Sequence, residues 1–216
     1  MTPTPHVFQP HDLISGHLAL DLVNTVTARD AGPCDWLASP ESLLQWAGLT
    51  GRFAPRDQAA LARQAAQAPA AARRALGRCR ALREALHDAL QPLMQGQPVP
   101  APVLQQLDRL RLAAARRCPL QAGPGGVWAQ PTLKGSGLDL VADVVLADAL
   151  RLLEAPDLTR LRVCAGSHCG WLFLDQSKAG RRRWCDMGTC GAAHKARQFR
   201  QRAAARPPSP DPKGCP

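Results

Sequence analysis

Four of the eight cysteines in this 216-residue chain follow a spacing that could hold a metal ion. Cys164, Cys169, Cys185 and Cys190 read C-x4-C-x15-C-x4-C. Zinc takes thiolate ligands in a tetrahedron, and two short cysteine loops separated by an insert of hairpin length can supply four of them. In a chain without an export signal, such a compact group favours a metal site over two disulfides. We therefore predict Zn2+ as a cofactor, bound by these four cysteines.

Two alternatives to this ligand set stay open. His168 precedes Cys169 and could replace it as a ligand, although the symmetry of the two C-x4-C halves favours the cysteine. Arginines surround the second pair of cysteines, and because nearby cations lower the pKa of a thiol, a redox-sensitive group is the other alternative. The remaining cysteines show no pairing pattern: Cys34, Cys79, Cys118 and Cys215.

The residues between and after the cysteines indicate the elements that position them. The segment WLFLD at 171–175 is typical of a strand, SKAG is a turn in which Gly180 can adopt a positive φ, and RRRW at 181–184 is typical of a return strand. Beyond Cys190 the composition is helical to about residue 205. A loop with two cysteines, a hairpin and a helix whose start carries the last cysteine form the layout of a treble-clef zinc finger.

The positive charge of the chain is concentrated around this cysteine group. The net charge is +10, and residues 160–206 carry eleven Lys or Arg against two acidic residues, whereas residues 1–159 carry fifteen against fourteen. Zinc with four thiolates carries a charge of about −2, which some of these arginines offset. The surplus favours a polyanion such as nucleic acid as the partner, with a merely solvated basic surface as the alternative.

The rest of the chain is predicted to be mainly helical. Five tryptophans, four phenylalanines and no tyrosine leave a core of Leu, Ala and Val, which favours helices over a sandwich of strands. Capping residues, proline at first helical positions and apolar periodicity predict the helices. They are 39–49, 55–67, a long one from Pro69 to at least Leu90, 103–117 and 138–153, with a hairpin around the Gly-Pro-Gly-Gly turn in 118–133, while 16–26 fits either a short strand or a first helix.

Several polar residues of this region have both a functional and a structural interpretation. Asp21, Asn24 and Thr25 could line a small-molecule pocket, but turn and cap hydrogen bonds are the more ordinary role of such residues. Asp139 and Asp143 lie four residues apart on one helix face; without a histidine or third carboxylate in register, we predict an exposed acidic stripe rather than a metal site. The arginines between 73 and 83 are predicted to form a solvated helix face.

Three classes of protein lack support in the sequence. The longest apolar run, 137–153, contains three aspartates that would be costly in lipid, so we expect no membrane span. The N-terminus has neither a basic start nor an apolar stretch, which indicates a cytoplasmic rather than an exported protein. We expect no enzyme, because we find no phosphate-binding glycine loop or nucleophile with its base, and four cysteines would leave zinc no open position.

Two stretches of the chain resemble a known family. The segment 158–191, LTRLRVCAGSHCGWLFLDQSKAGRRRWCDMGTCG, resembles the CGNR zinc finger, a treble-clef module at the C-terminus of bacterial stress-responsive transcription regulators. LALDLVNT at 18–25 resembles the opening of the ABATE domain that precedes this finger. The resemblance implies an α+β fold, with a mostly helical ABATE-like domain carrying a few short strands at 1–157 and the finger at 158–206. The proline-rich composition of 207–216 predicts a disordered tail. It also implies the same four cysteines as zinc ligands.

The chain departs from this family at the residues that name it. Where the family has Cys-Gly-Asn-Arg, this chain has Cys190, Gly191, Ala192 and Ala193. Asn and Arg can hydrogen-bond to base edges or phosphates, which alanine cannot do. The change therefore concerns base-specific readout more than electrostatic affinity.

We predict from these observations a DNA-binding transcription regulator. The basic residues expected to contact nucleic acid are Arg181, Arg182 and Arg183 beside the cysteines, and Lys195, Arg197, Arg200 and Arg202 on the following helix. The N-terminal domain is expected to sense a small-molecule effector or to mediate assembly into oligomers. The alternative is a zinc-stapled protein-interaction or RNA-associated module without sequence-specific DNA readout.

Overall fold

The fold is mainly helical in the computed structural model, which describes residues 6–30, 32–154, 156–167 and 169–204. About 60% of the chain is helical, with a few short strands, which confirms the predicted α+β class. The helices are α1 Leu18–Val23, α2 Pro40–Leu49, α3 Pro55–Gln67, α4 Pro69–Met94, α5 Ala101–Arg117, α6 Leu133–Ser136, α7 Leu140–Glu154 and α8 Ala192–Ala204. The strands are β1 Val26–Thr27, β2 Cys34–Asp35, β3 Leu120–Gly123, β4 Gly126–Ala129, β5 Leu161–Val163 and β6 Leu172–Leu174. The domain boundaries at 157 and 206 stay predictions, and the tail at 207–216 lies outside the described residues.

Proline and capping residues begin the first long helices. Proline occupies the first position of α2, α3 and α4, where a missing N–H leaves no hydrogen bond unmade. Ser39 caps α2, since its hydroxyl oxygen accepts from the Ser42 N–H at 3.3 Å. The helices predicted at 39–49 and 55–67 are confirmed to within one residue, and α4 continues beyond its leucine stripe to Met94.

The short helix α1 lies in the middle of the hydrophobic core. Segment 16–26, which fitted either a strand or a helix, forms α1 followed by β1. Ala19, Leu20 and Leu22 are fully enclosed, and α1 packs against α4 and α7. The apolar stripe predicted on α4 is buried against this core: Leu76, Cys79, Leu82, Leu86 and Leu90. Replacing one buried leucine of this core with alanine typically costs about 2–5 kcal/mol of stability. Packing of this kind stabilises α1, which has six residues and would be too short to be a stable helix alone.

The predicted hairpin around the Gly-Pro-Gly-Gly turn is confirmed as β3 and β4. These strands pair antiparallel, with Leu120 opposite Ala129 and Gly123 opposite Gly126. Trp128 packs over Gly123, where an added Cβ would meet the ring at 2.6 Å. The absence of a side chain there therefore allows the close approach of the ring.

The predicted return strand at 181–184 is wrong. β6 pairs instead with β5, which precedes the first cysteine, and Leu161 lies opposite Leu174. The other edge of β6 is also occupied, because the N–H of Leu172 donates to Asn24 Oδ1 at 2.8 Å and the N–H of Leu174 donates to the carbonyl of Ser15 at 2.9 Å. With both edges taken, no edge of β6 is left for the 181–184 segment, which runs alongside as an irregular stretch.

The predicted exposed acidic stripe on residues 139 and 143 is also wrong. Asp143 is only 2% exposed, and Arg117 of α5 donates to both of its carboxylate oxygens at 2.8 and 2.6 Å. Asp139 is contacted by Arg78 of α4 and by Arg117. The two aspartates therefore face arginines on two neighbouring helices. These arginines form ion pairs and hydrogen bonds with the carboxylates, which a buried charge needs in order to be stable. Among the described residues, no helix is both long enough and apolar enough to cross a membrane.

The solvated arginine face predicted for α4 holds only in part. Arg73 and Arg74 are exposed, but Arg83 is 3% exposed and donates to the two carboxylate oxygens of Asp35 at 2.7 and 2.9 Å. It also donates to the hydroxyl of Thr25 at 3.1 Å. Arg83 therefore fixes the β1–β2 connection to the long helix, and its guanidinium is fully used within the protein.

Candidate metal centre

The four predicted cysteines lie at the junction of a hairpin and a helix. Cys164 and Cys169 are in the connection between β5 and β6, and the N–H of Cys164 donates to the carbonyl of Trp171 at 2.8 Å to close that hairpin. Cys185 ends the irregular stretch after β6. Cys190 lies on a single π-helical turn, Met187–Gly191, that leads directly into α8. The β5–β6 connection thus supplies the first cysteine pair, and the segment that leads into α8 supplies the second.

The geometry of the sulfur atoms suits a tetrahedral metal ion. All four Sγ atoms lie within 4.8 Å of one another, and Cys185 Sγ is 3.8 Å from both Cys169 Sγ and Cys190 Sγ. Four sulfurs at about 2.3 Å from a zinc ion would be about 3.8 Å apart. Disulfide sulfurs would be only about 2.05 Å apart, and the described cysteines are all free thiols. Among the described residues, no other cluster of three or more potential ligands comes together.

The backbone around the cluster is shaped for the sulfurs. A Cβ on Gly166 would lie 2.9 Å from Cys190 Sγ and 3.3 Å from Cys164 Sγ, so only glycine leaves room there. The N–H groups of Cys185 and Gly166 point at Cys164 Sγ, at 3.3 and 3.4 Å. Asp186 begins the π-helical turn by accepting from the Thr189 N–H at 2.6 Å, which orients the turn that carries Cys190. Such donors and caps hold ligand atoms in place and favour the thiolate form.

The thiols influence one another's ionisation strongly. Hydrogen bonds from Cys169 and Cys185, together with the two backbone N–H groups, lower the pKa of Cys164 to about 2. The thiols of Cys169 and Cys185 both donate hydrogen bonds to the Cys164 thiolate. This raises the pKa of Cys169 to about 12 and also raises the pKa of Cys185. Thiols packed this closely cannot all ionise together unless a cation balances them. The donor set therefore fits a divalent, sulfur-preferring ion such as Zn2+.

Two alternatives to four cysteine ligands were open: His168 in place of Cys169, and a redox-sensitive cysteine group. His168 lies outside the described residues. Cys169 has its sulfur within the cluster, so the symmetric cysteine pattern is sufficient for four ligands. A redox role would require a pair of sulfurs to approach well inside the present 3.8 Å distances.

Arg182 was predicted to contact nucleic acid, but the structure places its side chain within the finger. Its guanidinium stacks on the ring of Phe173 at 4.8 Å and donates to the carbonyls of Trp184 and Cys185. Its backbone N–H donates to the carboxylate of Asp175 at 2.8 Å. Hydrogen bonds from the Ser177 side chain and from this N–H lower the pKa of Asp175. Arg182 thus stabilises the stretch that delivers Cys185, and sequence reasoning could not distinguish it from its two neighbours.

The remaining predicted cations lie on the outside of the finger. Arg181, Arg183, Lys195, Arg200 and Arg202 are exposed, and Arg197 is half-buried. The guanidinium of Arg183 lies over the ring of Trp184, 5.3 Å from its centroid. Within the described part of the chain, none of these six cations forms an ion pair, whereas five of the nine arginines on α4 and α5 do.

Ala192 and Ala193 occupy the first turn of α8 and are both exposed. The preceding Gly191 is buried, and a Cβ there would meet the sulfur of Met187 at 3.1 Å. The positions where the family keeps Asn and Arg therefore point outward, next to the metal cluster rather than into it.

The finger is fastened to the N-terminal domain through α1. Asn24, which follows α1, donates from Nδ2 to the carbonyl of Leu172 and accepts from the Leu172 N–H, both at 2.8 Å. The ring of Trp36 meets Trp171 edge-on at 5.5 Å between centroids. Thr25 donates to the carbonyl of Leu22 at 2.7 Å. Asn24 and Thr25 are buried and hydrogen-bonded within the protein, so they do not border an open pocket.

The third residue of the predicted pocket, Asp21, does line a cavity. The cavity has a volume of about 440 Å³ and is also bordered by His17, Arg52 and Asp148. Arg52 and His17 approach the two oxygens of Asp148 at 3.3 and 3.1 Å. Burial raises the pKa of Asp21 to about 6, although the Ser15 N–H donates to it, and burial lowers the pKa of His17. No pattern in the sequence indicated that residues so far apart would meet.

Comparison with protein families accounts for both parts of the chain. The ABATE family, described as "Putative stress-induced transcription regulator", matches residues 16–156. The CGNR zinc finger matches residues 160–203 and so includes all four cysteines. Neither is an enzyme family. No curated protein matches the chain. Because the first match covers well over half of its length, the chain belongs to the ABATE family and carries a zinc finger of the CGNR type after its ABATE domain.

Proposed function

We propose that the protein is a zinc-containing transcription regulator that binds duplex DNA through α8 of its finger. The observation that carries the proposal is the coincidence of a four-sulfur cluster at the start of α8 with unpaired cations on the outside of the same helix. The cluster can hold the helix firmly on the protein, and the cations can attract a polyanion to its outer surface.

The zinc ligands in this proposal are Cys164, Cys169, Cys185 and Cys190. Zinc, when bound, would tie the β5–β6 hairpin to the start of α8 and offset the repulsion between thiolates. The chain itself contributes N–H donors to the Cys164 sulfur and the backbone hydrogen bonds from Arg182. Four thiolates leave no open coordination position, so we assign the metal a structural role and propose that the protein is not an enzyme.

Phosphate contacts are assigned to the cations that point outward. They are Arg181, Arg183, Lys195, Arg197, Arg200 and Arg202. Arg182 is left out because its guanidinium is engaged with Phe173 and two backbone carbonyls. The contacts are sequence-independent in themselves and supply affinity and register rather than base readout.

The N-terminal domain is proposed to regulate the finger through α1. One end of α1 borders the cavity that contains Asp21 and Asp148, and the other end holds β6 through Asn24. A small polar effector that displaced α1 would therefore act directly on the strand beside the first cysteine pair. Assembly between copies is the other role proposed for this domain, supported by the exposed apolar residues Leu120 and Val127 on the β3–β4 hairpin.

A second candidate function is RNA association or protein interaction without sequence-specific DNA readout. It is favoured by Phe199 of α8, whose side chain is 74% exposed and lies among the cations, as in proteins that stack unpaired bases on aromatic rings. A cytoplasmic location is also part of the proposal, supported by the free thiols of the described cysteines.

Two measurements test the zinc assignment. Elemental analysis of the purified protein is expected to give one zinc per chain, and thiol labelling without denaturant is expected to leave the four finger cysteines protected. The exposed Cys34 serves as the internal positive control for labelling. A metal-free protein with four reactive finger thiols would contradict the assignment.

Duplex binding is tested by its dependence on salt. If all six outward cations reach phosphates, the logarithm of the association constant falls with the logarithm of salt concentration with a slope of about −5. Arg197→Glu combined with Arg200→Glu should weaken binding to every duplex and reduce the slope by about 2. The matched control is Arg73→Glu with Arg74→Glu, two exposed arginines on α4, which should leave DNA binding unchanged. Absence of binding to any duplex at low salt, or preference for single-stranded RNA, would refute the DNA proposal.

A further inference from the structure

The outer surface of α8 has an apolar stripe along its centre. At 100° per residue, Ala192, Ala196 and Phe199 fall within about 60° of one another on the helix. All three are exposed, and Phe199 is the most exposed large apolar residue after Leu120 among the described residues. Phe199 is the one large apolar side chain of α8, whose other residues are Ala, His, Lys, Arg and Gln.

Cations border this stripe on both sides. Lys195 and Arg202 lie along one side of it and Arg200 lies along the other, whereas Arg197 lies farther round the helix, about 60° from His194, and is half-buried. The opposite side of the helix faces the protein, since the ring of His194 is 5.2 Å from that of Trp184. The stripe therefore points away from the finger, with two cations on one side and one on the other.

This arrangement has the form of a helix that enters a major groove. A groove about 12 Å wide admits one helix, whose central residues meet base edges while the flanking residues meet the phosphates on either side. A central row of alanine and phenylalanine side chains offers no hydrogen-bond donor for guanine and no acceptor for cytosine or adenine. Its complement among base edges is the 5-methyl group of thymine, the apolar group of the major groove.

We propose that Ala192, Ala196 and Phe199 recognise thymine methyl groups in duplex DNA, so that the finger prefers A·T-rich sites. This inference rests on the proposed DNA-binding function and adds to it the chemistry that α8 recognises. The loss of the Asn-Arg pair at 192 and 193 then has a consequence of its own. Polar readout is replaced by apolar contact, with electrostatic affinity supplied by the cations that remain.

A membrane surface is the other polyanionic target of basic helices that carry an apolar side. The stripe is poorly suited to it, because Phe199 is its only large side chain and alanine contributes little apolar area to insert. Binding to vesicles of anionic phospholipid is therefore included as an outcome of the test.

The experiment uses the full-length zinc-loaded protein and two duplexes of about 20 A·T-rich base pairs, identical except that one contains deoxyuridine in place of thymidine. Uracil keeps every hydrogen-bonding group of thymine and lacks only the methyl group. Since each methyl that is buried changes affinity about fourfold, two contacts should make the thymidine duplex bind about fifteenfold more tightly in fluorescence anisotropy. A G·C-rich duplex should gain affinity when its cytosines carry a 5-methyl group, which lies at the equivalent place in the groove.

Variants on the two sides of α8 separate methyl recognition from charge. Phe199→Gln should remove one methyl contact and reduce the ratio of the two affinities about fourfold, while leaving the salt slope unchanged. Gln201→Ala, on the side away from the stripe, is the matched control and should keep the full ratio. Ala192→Asn with Ala193→Arg should shift preference toward G·C pairs, because arginine can donate two hydrogen bonds to guanine.

The outcomes distinguish the inference from the function on which it rests. Equal affinity for the thymidine and deoxyuridine duplexes, with a steep salt dependence for both, would overturn methyl recognition and leave the DNA-binding proposal standing. Failure to bind any duplex would overturn both. Binding to anionic vesicles that exceeds duplex binding would assign the stripe to a membrane instead.

Discussion

The substitution Asn24→Ala tests whether the zinc finger depends on the N-terminal domain for its shape. The Asn24 side chain forms two hydrogen bonds of 2.8 Å to the backbone of Leu172, one as donor and one as acceptor. Both residues are at most 2% exposed, so water does not replace the amide when it is removed. A buried backbone group left without a partner costs about 1–3 kcal/mol, and the substitution leaves two. We expect the free energy of unfolding to fall by about 2–6 kcal/mol.

The same substitution should weaken zinc retention. Leu172 begins β6, and the preceding residue, Trp171, accepts the hydrogen bond from the Cys164 N–H that closes the hairpin. Loss of the Asn24 contacts therefore loosens the loop that presents Cys164 and Cys169. Groups that orient metal ligands typically change metal affinity about 10–100-fold, and we expect an effect of at least tenfold here.

Urea unfolding followed by tryptophan fluorescence measures the first effect, and competition with a chromogenic chelator measures the second. Gln106→Ala is the control. It also removes a hydrogen bond from a side-chain amide to a backbone carbonyl, but this bond, to Ala81, is 3.4 Å long and Gln106 is only half-buried. The control should lose less than about 1 kcal/mol. A loss equally small for Asn24→Ala, with zinc retention unchanged, would refute the view that α1 supports the finger.

Three further substitutions probe the cavity, the metal loop and the inner arginine. Burial raises the pKa of Asp21 from 3.8 to about 6, so ionisation of this carboxyl costs stability as the pH rises. In urea unfolding, Asp21→Asn should therefore stabilise the protein by about 1.5 kcal/mol more at about pH 8 than at about pH 5. An effect of the substitution that does not depend on pH would contradict this. Gly166→Ala, which places a Cβ 2.9 Å from Cys190 Sγ, should weaken zinc binding about tenfold or more in chelator competition, whereas Gly77→Ala, with open space around it on α4, should not. Arg182→Met should lower the free energy of unfolding by about 1–3 kcal/mol and leave the salt slope of DNA binding unchanged; a slope reduced by about 0.9 would identify Arg182 as a phosphate contact after all.

Local elements of this protein were predictable because their causes are local. Proline, a serine cap and a leucine stripe act within a few residues of themselves, and α2, α3 and α4 begin and end close to the predicted positions. The hairpin of β3 and β4 likewise follows from its own turn residues. The spacing of Cys164, Cys169, Cys185 and Cys190 was informative for a chemical reason, since few arrangements of four thiols in a short segment can be stable without a metal.

Pairings between distant segments were not predictable in the same way. Strand β6 was matched with the 181–184 segment because both follow one turn, whereas its true partner is β5 and its other edge is covered by Asn24 and Ser15. Asp143 and Arg83 were expected at the surface, but each meets an oppositely charged side chain from an element far away in the chain. Charge alone indicates that a residue needs a partner or water, and only the packing determines which it has.

The sequence by itself determined which chemical groups this protein has. They are four thiols at the spacing of a metal site, a surplus of positive charge beside them, and alanines in place of the Asn-Arg pair of its family. The tertiary structure decided how that chemistry is presented. It turned Arg182 inward onto Phe173 and the carbonyls of Trp184 and Cys185, left Ala192 and Phe199 exposed on α8, and joined the finger to α1. The physical reason is that ligand type and charge are properties of single residues, whereas direction, burial and hydrogen-bond partners arise only when separate elements pack together.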